Sequence, residues 1–272
     1  MATEVFAPAK INLTLHVTGQ RADGYHLLDS LVVFSDVGDR LRLEPADRMS
    51  VQVTGPFAEG VPEDARNLVW RAAELAGTTL RIGLEKNLPH GAGIGGGSSD
   101  AAAVLRCFGG AEHAAELGAD VPVCLTDVPQ RMRGIGDELE EVPGVPALPL
   151  VLVNPGVHVP TPAVFRALER KDNADMGALP RWTSRAGFLD WLSVQRNDLE
   201  GPAIASAPVI RDALDALSRA GDCLLARMSG SGATCFGVFG SDETARAAAD
   251  RISGAHPGWW AQATRSIGSA PG

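Results

Sequence analysis

One stretch of the sequence has residue types and spacing suited to holding phosphate. Residues 88–101 read LPHGAGIGGGSSDA, which places five glycines within seven residues directly before an alanine-rich segment. Glycine lets the backbone lie close to a ligand, and a helix that begins here would offer unpaired N–H groups and its positive dipole end to an anion. The stretch predicts a phosphate cradle, and a flexible loop before a helix is the alternative.

Two charged residues have the chemistry to accompany such a cradle. Lys10 follows Pro8-Ala9 at the start of a predicted strand, and Asp120 stands isolated in the apolar segment 117–125. A desolvated carboxylate that faces a cleft is suited to accept a proton. A carboxylate in this context also serves as a helix cap or a turn residue, and the sequence leaves both roles open for Asp120.

Composition limits the class of protein. A length of 272 residues fits one large domain or, more readily, two lobes that share a cleft. With 45% hydrophobic and 21% charged residues and 31 glycines, the composition is typical of a globular protein rich in turns. The formal net charge of -9 and the lack of a basic run argue against nucleic acid as a partner. The four cysteines form no C-x-x-C pair, so we expect neither disulfides nor zinc. We see no signal sequence or membrane-length apolar run, which predicts a cytoplasmic protein without a membrane partner.

Several predicted elements bear on where the chemistry would occur. Residues 10–17 alternate as a strand, with Lys10, Asn12, Thr14 and His16 on a polar face that is either solvated or a ligand surface. The turn at 18–24 then leads to Tyr25-His26, a pair suited to a planar base, although core packing would equally employ the tyrosine.

The glycine stretch lies between a predicted strand at 79–84 and a helix that ends at Gly109-Gly110, and a helix is also expected at 64–76. A proline-rich linker at 143–149 separates a first domain, 1–147, from a second, 148–272. The second domain alternates strands and helices and predicts a two-layer α+β lobe. Its small-residue loop at 228–233 is either a hairpin turn or a partner of the first glycine loop.

Known nucleotide motifs do not fit the glycine stretch. Gly91, Gly93 and Gly96 match the dinucleotide fingerprint formally, but Pro89 and three further residues separate them from the strand and no acidic ribose ligand follows. Gly97 stands where a Walker loop needs lysine. No H-R-D, D-F-G, G-x-S-x-G or H-E-x-x-H motif occurs in the sequence, so protein kinases, common hydrolases and zinc peptidases are also disfavoured.

The ordered set of motifs resembles the GHMP kinases. The resemblance rests on PAKINL at 8–13, GQRADGYH at 19–26, GIGGGSSDAA at 93–102, GADVPV at 118–123, NPG with PTP at 154–162, and MSGSGATCF at 228–236, and it spans nearly the whole chain. The glycine stretch alone indicates the superfamily. The 19–26 segment resembles the branch that phosphorylates the cytidyl diphosphate of methylerythritol in the non-mevalonate isoprenoid pathway.

The resemblance implies a two-lobed α+β fold, with an N-terminal lobe like the second domain of ribosomal protein S5 and a ferredoxin-like C-terminal lobe. It implies transfer of the ATP γ-phosphoryl group to the 2-hydroxyl of the methylerythritol moiety, with Mg²⁺, by a monomer or homodimer. Such a transfer depends mainly on positioning and charge neutralisation. By resemblance, Asp120 accepts the hydroxyl proton, and Lys10 beside it stabilises the developing charge.

The remaining roles are also carried over by resemblance. Tyr25 and Phe165 are expected to sandwich the cytosine, His26 to hydrogen-bond its edge, and Asn12 and Thr161 to contact the substrate. Asn67 and Lys86 are expected near the adenosine. The direct Mg²⁺ ligands stay unassigned, with Ser98, Ser99 and the phosphates as candidates. The residues expected to hold the nucleotide phosphates are Pro89, Gly91, Gly93, Gly95, Gly96, Gly97, Ser98 and Ser99.

The sequence departs from the family pattern at two places. The connection at 108–111 is shorter than usual before Asp120, and Cys124 replaces a common aromatic residue. Three other functions stay open at this point. They are another GHMP kinase such as a homoserine or mevalonate kinase, a nucleotide-binding protein that has lost catalysis, and a dinucleotide oxidoreductase.

Overall fold

The computed structural model describes residues 2–270. It has two sheets, one with strand order β4-β5-β3-β6-β7 to which β1 and β2 add by pairing with β3, and one with order β11-β8-β10-β9. This mixture of sheets and helices confirms the predicted α+β class. The strands are β1 Thr3–Asn12, β2 His16–Gln20, β3 His26–Pro45, β4 Ser50–Thr54, β5 Leu80–Glu85, β6 Gln130–Gly134, β7 Glu138–Glu141, β8 Pro149–Asn154, β9 Cys223–Met228, β10 Cys235–Phe239 and β11 Trp260–Arg265.

In the described part of the chain, eight α-helices connect the strands, together with 3₁₀ turns at Ala111–His113 and Pro122–Leu125. Within residues 2–270 no helix is long and apolar enough to cross a membrane. The α-helices are α1 Leu68–Leu75, α2 Gly96–Phe108, α3 Ala114–Leu117, α4 Thr161–Arg166, α5 Arg185–Ser193, α6 Glu200–Ser206, α7 Val209–Arg219 and α8 Asp242–Ala255.

The described residues form two compact units that interleave along the chain. Unit 1 comprises residues 2–10, 37–90 and 95–127, and unit 2 comprises 11–36, 91–94 and 128–270. The glycine loop changes unit between residues 94 and 95, and β3 contributes residues to both units. The division of the chain into sequential domains 1–147 and 148–272 stays a prediction.

Unit 1 positions the second half of the glycine loop. β5 pairs in parallel with β4 and antiparallel with the 40–45 part of β3, and α1 packs against α2. Alternation in β5 buries Leu80, Ile82 and Leu84, as the period of a half-buried strand requires. α2 begins directly at the glycines, so the predicted order of strand, loop and helix is confirmed, and it ends before Gly109 at φ +95.

Unit 2 contains the four-stranded sheet and an apolar core cluster. β8 pairs antiparallel with β10 and β11, and β10 pairs antiparallel with β9. Helix α7 buries Ile210, Ala213 and Leu217 along one stripe, and these residues belong to the same core cluster as Val151 and Val153 of β8. The loop at 228–233 joins β9 to β10 and is therefore a hairpin connection.

Local structure departs from expectation at the first strand. β1 ends at Asn12 and β2 begins at His16, so the predicted strand 10–17 is interrupted. The polar side chains of Asn12, Thr14 and His16 are buried rather than solvated. Thr14 explains part of the break, because its hydroxyl accepts the N–H of Leu31 at 2.8 Å and its carbonyl accepts the hydroxyl of Ser30 at 2.5 Å. Side-chain bonding replaces the strand ladder there.

Candidate active site

In unit 1 the glycine loop leads into a helix whose first turn is not capped by a side chain. Gly95 is the N-cap of α2, adopts a left-handed conformation with φ +66 and ψ 18, and makes no side-chain cap bond. The N–H groups at the start of a helix have no partner within the helix. Together with the dipole they form a site for an anion.

The glycines of this half-loop differ in whether the fold requires them. Gly95 has positive φ, and a Cβ there would lie 3.1 Å from the Cβ of Lys10. Gly97 has no positive φ, is exposed, and a Cβ there would meet only Leu68 Cδ1 at an ordinary 3.5 Å. The fold therefore accounts for the glycine at 95 but not for the glycine at 97.

Lys10 and Asp120 come together in unit 1 as the sequence predicts. Lys10 Nζ lies 2.9 Å from Asp120 Oδ1, and the side chains are 4% and 45% exposed. The lysine is held by β1, whereas the aspartate sits in the turn just before the 3₁₀ turn Pro122–Leu125. A buried ammonium thus stabilises a carboxylate that still reaches the surface. Cys124 is buried, and burial raises the pKa of its thiol to about 12.

Lys86 lies in a buried cluster with two aspartates. Its Nζ lies 2.6 Å from Asp100 Oδ2 and also contacts Asp39 Oδ2, and all three side chains are 5% exposed or less. Asp39 Oδ1 accepts the backbone N–H groups of Asn87 at 2.5 Å and Leu88 at 2.9 Å. We name Asp39, Lys86 and Asp100 the buried triad. The expected proximity of Lys86 to adenosine stays a prediction, since its ammonium is engaged by carboxylates.

The other predicted nucleotide residues of unit 1 have structural partners as well. Asn67 is the N-cap of α1, where its Oδ1 accepts the Val69 N–H at 3.1 Å and its Nδ2 donates to the Pro62 carbonyl at 2.7 Å. Ser98 is half-buried, whereas Ser99 is buried and its Oγ has no hydrogen-bond partner. Of the two serines, Ser98 is therefore the more exposed, and Ser99 has an unsatisfied hydroxyl. Pro89 is half-buried at the start of the loop.

Unit 2 holds the first half of the glycine loop against the β9–β10 loop. Ser229 Oγ accepts the N–H of Asn12 at 3.0 Å and donates to the carbonyl of Gly93 at 3.2 Å. A Cβ on Gly93 would lie 2.6 Å from the Gly232 carbonyl oxygen, so glycine is required there by close approach. The prediction that the second loop faces the first is confirmed for residues 91–94. Gly91, with φ +55, lies against the exposed ring of His158.

A second set of predicted residues in unit 2 surrounds His26. The His26 and Phe165 rings stack with centroids 4.9 Å apart and planes at 29°. Burial lowers the pKa of His26, and the charge of Lys171 adds to this effect, so the imidazole is neutral at pH 7. Its Nε2 is buried and has no hydrogen-bond partner. Tyr25 is 61% exposed, so its ring is available to a ligand rather than packed in the core.

Asn12 and Thr161 are also in unit 2. Asn12 Nδ2 donates to Ser30 Oγ at 2.8 Å, and its buried Oδ1 has no partner, which leaves one acceptor for a ligand hydroxyl or amine. Thr161 is the first residue of α4, and Pro160 holds the N-cap position. The Thr161 hydroxyl lies 2.7 Å from Ser231 Oγ.

Sequence reasoning missed Asp39, Asp100, Ser30 and Ser229. Asp100 follows the serines in the first part of α2, which offered a weak signal, but its partners come from positions 39 and 86. Among residues 2–270 no group of three or more His, Cys, Asp or Glu side chains could hold a metal ion.

Comparisons with known proteins agree with this arrangement. The family model described as GHMP kinases N terminal domain matches residues 67–126, and GHMP kinases C terminal matches residues 164–257. The chain is similar to a protein of Dinoroseobacter shibae named 4-diphosphocytidyl-2-C-methyl-D-erythritol kinase, with 57% identity over 95% of this chain and 93% of the relative. A relative of the same name from Ruegeria pomeroyi is 57% identical over 96% of this chain and 98% of its own length.

One solved structure is similar over nearly the full length. It is described as 4-(cytidine 5'-diphospho)-2C-methyl-D-erythritol kinase, with a TM-score of 0.79 and 35% identity, and the match covers 98% of this chain and 100% of that chain. Identity at this level across both units shows more than a shared fold. The chain belongs to the GHMP kinases, in the family whose members are named 4-diphosphocytidyl-2-C-methyl-D-erythritol kinase.

Proposed function

We propose that this protein transfers the γ-phosphoryl group of ATP to the 2-hydroxyl of 4-diphosphocytidyl-2-C-methyl-D-erythritol, giving the 2-phosphate and ADP in the non-mevalonate isoprenoid pathway. The observation that carries the proposal is the Lys10–Asp120 pair in the same unit as an uncapped helix start with glycine at 96 and 97. The Lys10–Asp120 pair supplies proton transfer, and the helix start supplies phosphate binding. Family membership names the acceptor.

Phosphoryl transfer needs positioning and charge stabilisation more than covalent chemistry. The backbone N–H groups at 96–98 and the Ser98 hydroxyl hold the phosphates, and the open side of Gly97 lets them approach. The remaining loop residues, Pro89, Gly91 and Gly93, shape the path of the backbone toward that point.

Asp120 accepts the proton as the acceptor oxygen bonds to the γ-phosphorus and the bond to the ADP oxygen breaks. Lys10, 2.9 Å from Asp120 Oδ1, keeps the carboxylate in place and stabilises the negative charge that develops on the transferred group. Partial exposure of Asp120 allows a substrate hydroxyl to reach it.

Unit 2 supplies the residues that recognise the cytidyl group. The neutral His26, with an unpartnered buried Nε2, is able to hydrogen-bond a cytosine edge. Phe165 already stacks on His26, and the exposed Tyr25 provides a second aromatic surface. Asn12 Oδ1 and the Thr161 hydroxyl offer further polar contacts.

Mg²⁺ enters with ATP as part of the nucleotide substrate. Mg²⁺ commonly keeps several waters and binds through substrate phosphates with few protein ligands. Ser98 is the candidate hydroxyl ligand, and Asn67 lies in unit 1 with the proposed nucleotide site. The cytoplasmic location and a monomeric or homodimeric state remain part of the proposal.

The test is a coupled assay of ADP release with Mg-ATP and 4-diphosphocytidyl-2-C-methyl-D-erythritol, with phosphorus NMR of the product. We expect one new phosphate monoester and one ADP per turnover. Homoserine and mevalonate serve as alternative acceptors in parallel reactions. Phosphorylation of either one without reaction of the cytidyl substrate would refute the proposed specificity, and ATP binding without any transfer would support a non-catalytic protein.

A further inference from the structure

Lys171 is an ammonium group without a carboxylate partner, and it lies beside the residues proposed to hold the cytidyl group. It belongs to unit 2, in the segment 167–184 between α4 and α5, and it is half-buried. Lys171 Nζ donates to Gln20 Oε1 at 3.1 Å, and within residues 2–270 it forms no ion pair. Because an ammonium carries three donors, two donors and the full charge of Lys171 are not used by this part of the chain.

Charged residues close to Lys171 are paired with one another. Arg170 Nε lies 3.4 Å from Asp172 Oδ1. At the turn between β2 and β3, Arg21 Nη2 lies 2.7 Å from Asp23 Oδ2. Each exposed pair adds no net charge, whereas the charge of Lys171 is not cancelled in this way. This matters in a chain with a formal net charge of -9, where a polyanionic ligand needs a local cation.

Two observations place the Lys171 ammonium near His26. The charge of Lys171 lowers the pKa of the imidazole, in addition to the larger effect of burial. Gln20, which accepts the hydrogen bond from Lys171, is paired with His26 in the β2–β3 ladder, and its Nε2 donates to the Gly24 carbonyl at 3.0 Å. The ammonium therefore lies at the same end of the β2–β3 hairpin as the exposed Tyr25 and the stacked imidazole.

We propose that Lys171 binds the diphosphate of the cytidyl substrate and thereby makes this site select a cytidine diphosphate over uncharged cytidine. This inference rests on the proposed function for the identity of the acceptor. A cytosine held by Phe165 and His26 brings its ribose and diphosphate into the same part of unit 2. An ammonium with unused donors forms charge-assisted hydrogen bonds with phosphate oxygens, so Lys171 adds affinity only for the charged part of the substrate.

The hydrogen bond to Gln20 would also suit a purely structural role for Lys171, and the two roles have different consequences. As an anchor of the turn, Lys171 acts through Gln20 on Gly24 and Tyr25, which affects every ligand that contains the base. As a phosphate ligand, it affects only ligands that contain phosphate, and added salt weakens its effect. Arginine keeps the positive charge and the donors, whereas methionine removes both.

The test measures the affinities of cytidine and of cytidine diphosphate by calorimetry, with the nucleotide site filled by a non-hydrolysable Mg-ATP analogue. Lys171→Met should weaken the binding of cytidine diphosphate ~5- to 20-fold, as expected for one charge-assisted hydrogen bond at a half-buried position, and should change cytidine binding less than ~2-fold. Lys171→Arg should keep most of the affinity for cytidine diphosphate. Arg170→Met removes an equal charge from the adjacent exposed residue and is the matched control, which should behave as wild type.

A second variant and a kinetic readout keep the test decisive. Gln20→Ala removes the anchor but not the charge, so it should keep the wild-type preference for cytidine diphosphate over cytidine. In turnover, Lys171→Met should raise KM for the cytidyl substrate and leave kcat and KM for ATP unchanged. Equal weakening of cytidine and cytidine diphosphate in Lys171→Met, loss of the preference in Gln20→Ala, or wild-type affinities in Lys171→Met would each overturn the inference. A wild-type protein that binds neither probe would instead refute the proposed acceptor.

Discussion

Alanine substitutions at two glycines of the same loop should have opposite effects on stability. In Gly97→Ala the backbone conformation suits alanine and the added methyl meets only Leu68 at 3.5 Å. Reduced freedom of the unfolded chain should then raise the free energy of unfolding by ~0.4–1 kcal/mol. Gly95→Ala gains the same stabilisation from the unfolded chain, but alanine at φ +66 costs ~1–2 kcal/mol in the native state. Because the unfolded-state contribution cancels between the two variants, their difference in stability reports the native-state cost at Gly95, which is the backbone strain of ~1–2 kcal/mol plus the cost of the 3.1 Å approach to the Cβ of Lys10.

The same pair of variants separates structural from ligand-binding glycine. If phosphates approach the backbone at Gly97, a methyl group there obstructs them, so Gly97→Ala should be more stable than wild type and yet bind Mg-ATP at least ~10-fold more weakly, a loss of ~1.4 kcal/mol. Urea unfolding followed by fluorescence of the five tryptophans gives the stability, and calorimetry gives the affinity. Wild-type affinity in Gly97→Ala would refute the phosphate cradle. Equal stability of the two variants would refute the conformational argument.

Three further predictions concern catalysis, recognition and acid stability. Asp120→Asn should lower kcat ~10²- to 10⁴-fold, and Lys10→Met should also lower kcat, each with nearly unchanged binding of a non-hydrolysable ATP analogue. The control Asp127→Asn, at an exposed aspartate of unit 1, should keep wild-type kcat. Normal turnover in Asp120→Asn or Lys10→Met would remove that residue from the mechanism. Phe165→Ala should raise KM for the cytidyl substrate by ~2- to 10-fold and leave KM for ATP unchanged, and equal changes in both would contradict a role in base recognition. Burial raises the pKa of Asp29, but hydrogen bonds from Arg131 and the Met176 backbone outweigh it and hold that pKa below its ordinary value. Its stabilising effect is therefore present above pH ~4 and lost as pH falls through the lower folded value, so the stability deficit of Asp29→Asn should shrink in acid unfolding curves.

The hydrophobic periodicity of the sequence and the residues typical of helix and strand ends were sufficient to predict much of the fold. The strand at 79–84 and a helix that follows the glycine stretch were predicted from local patterns and agree with the structure, although α2 already starts at Gly96, within the glycines. Each depends on residues close together in the chain. The interrupted strand at 13–15 was not predicted, because the groups that bond Thr14 lie at positions 30 and 31.

The candidate site likewise contains some contacts that the sequence predicts and others that it does not. Lys10 and Asp120 could be named from their motifs, and the structure places them 2.9 Å apart. The partners of Lys86 could not be predicted, because nothing local in the sequence indicates that the carboxylates of positions 39 and 100 converge on one ammonium. Charge balance in a buried site is a property of tertiary packing.

The hydrogen bonds of the Ser229 hydroxyl form only after most of the chain has been synthesised. This hydroxyl joins Asn12, which is 217 residues earlier in the chain, and Gly93, which is 136 residues earlier. At ~5–20 residues per second, a ribosome needs roughly ten to forty seconds between the synthesis of Asn12 and that of Ser229. Contacts of such high sequence separation form late and slow the folding reaction. The loop at 91–94 therefore reaches its final conformation only after the β9–β10 hairpin has been synthesised, so a nascent chain that already contains Lys10, residues 91–94 and Asp120 still lacks the folded form of this loop.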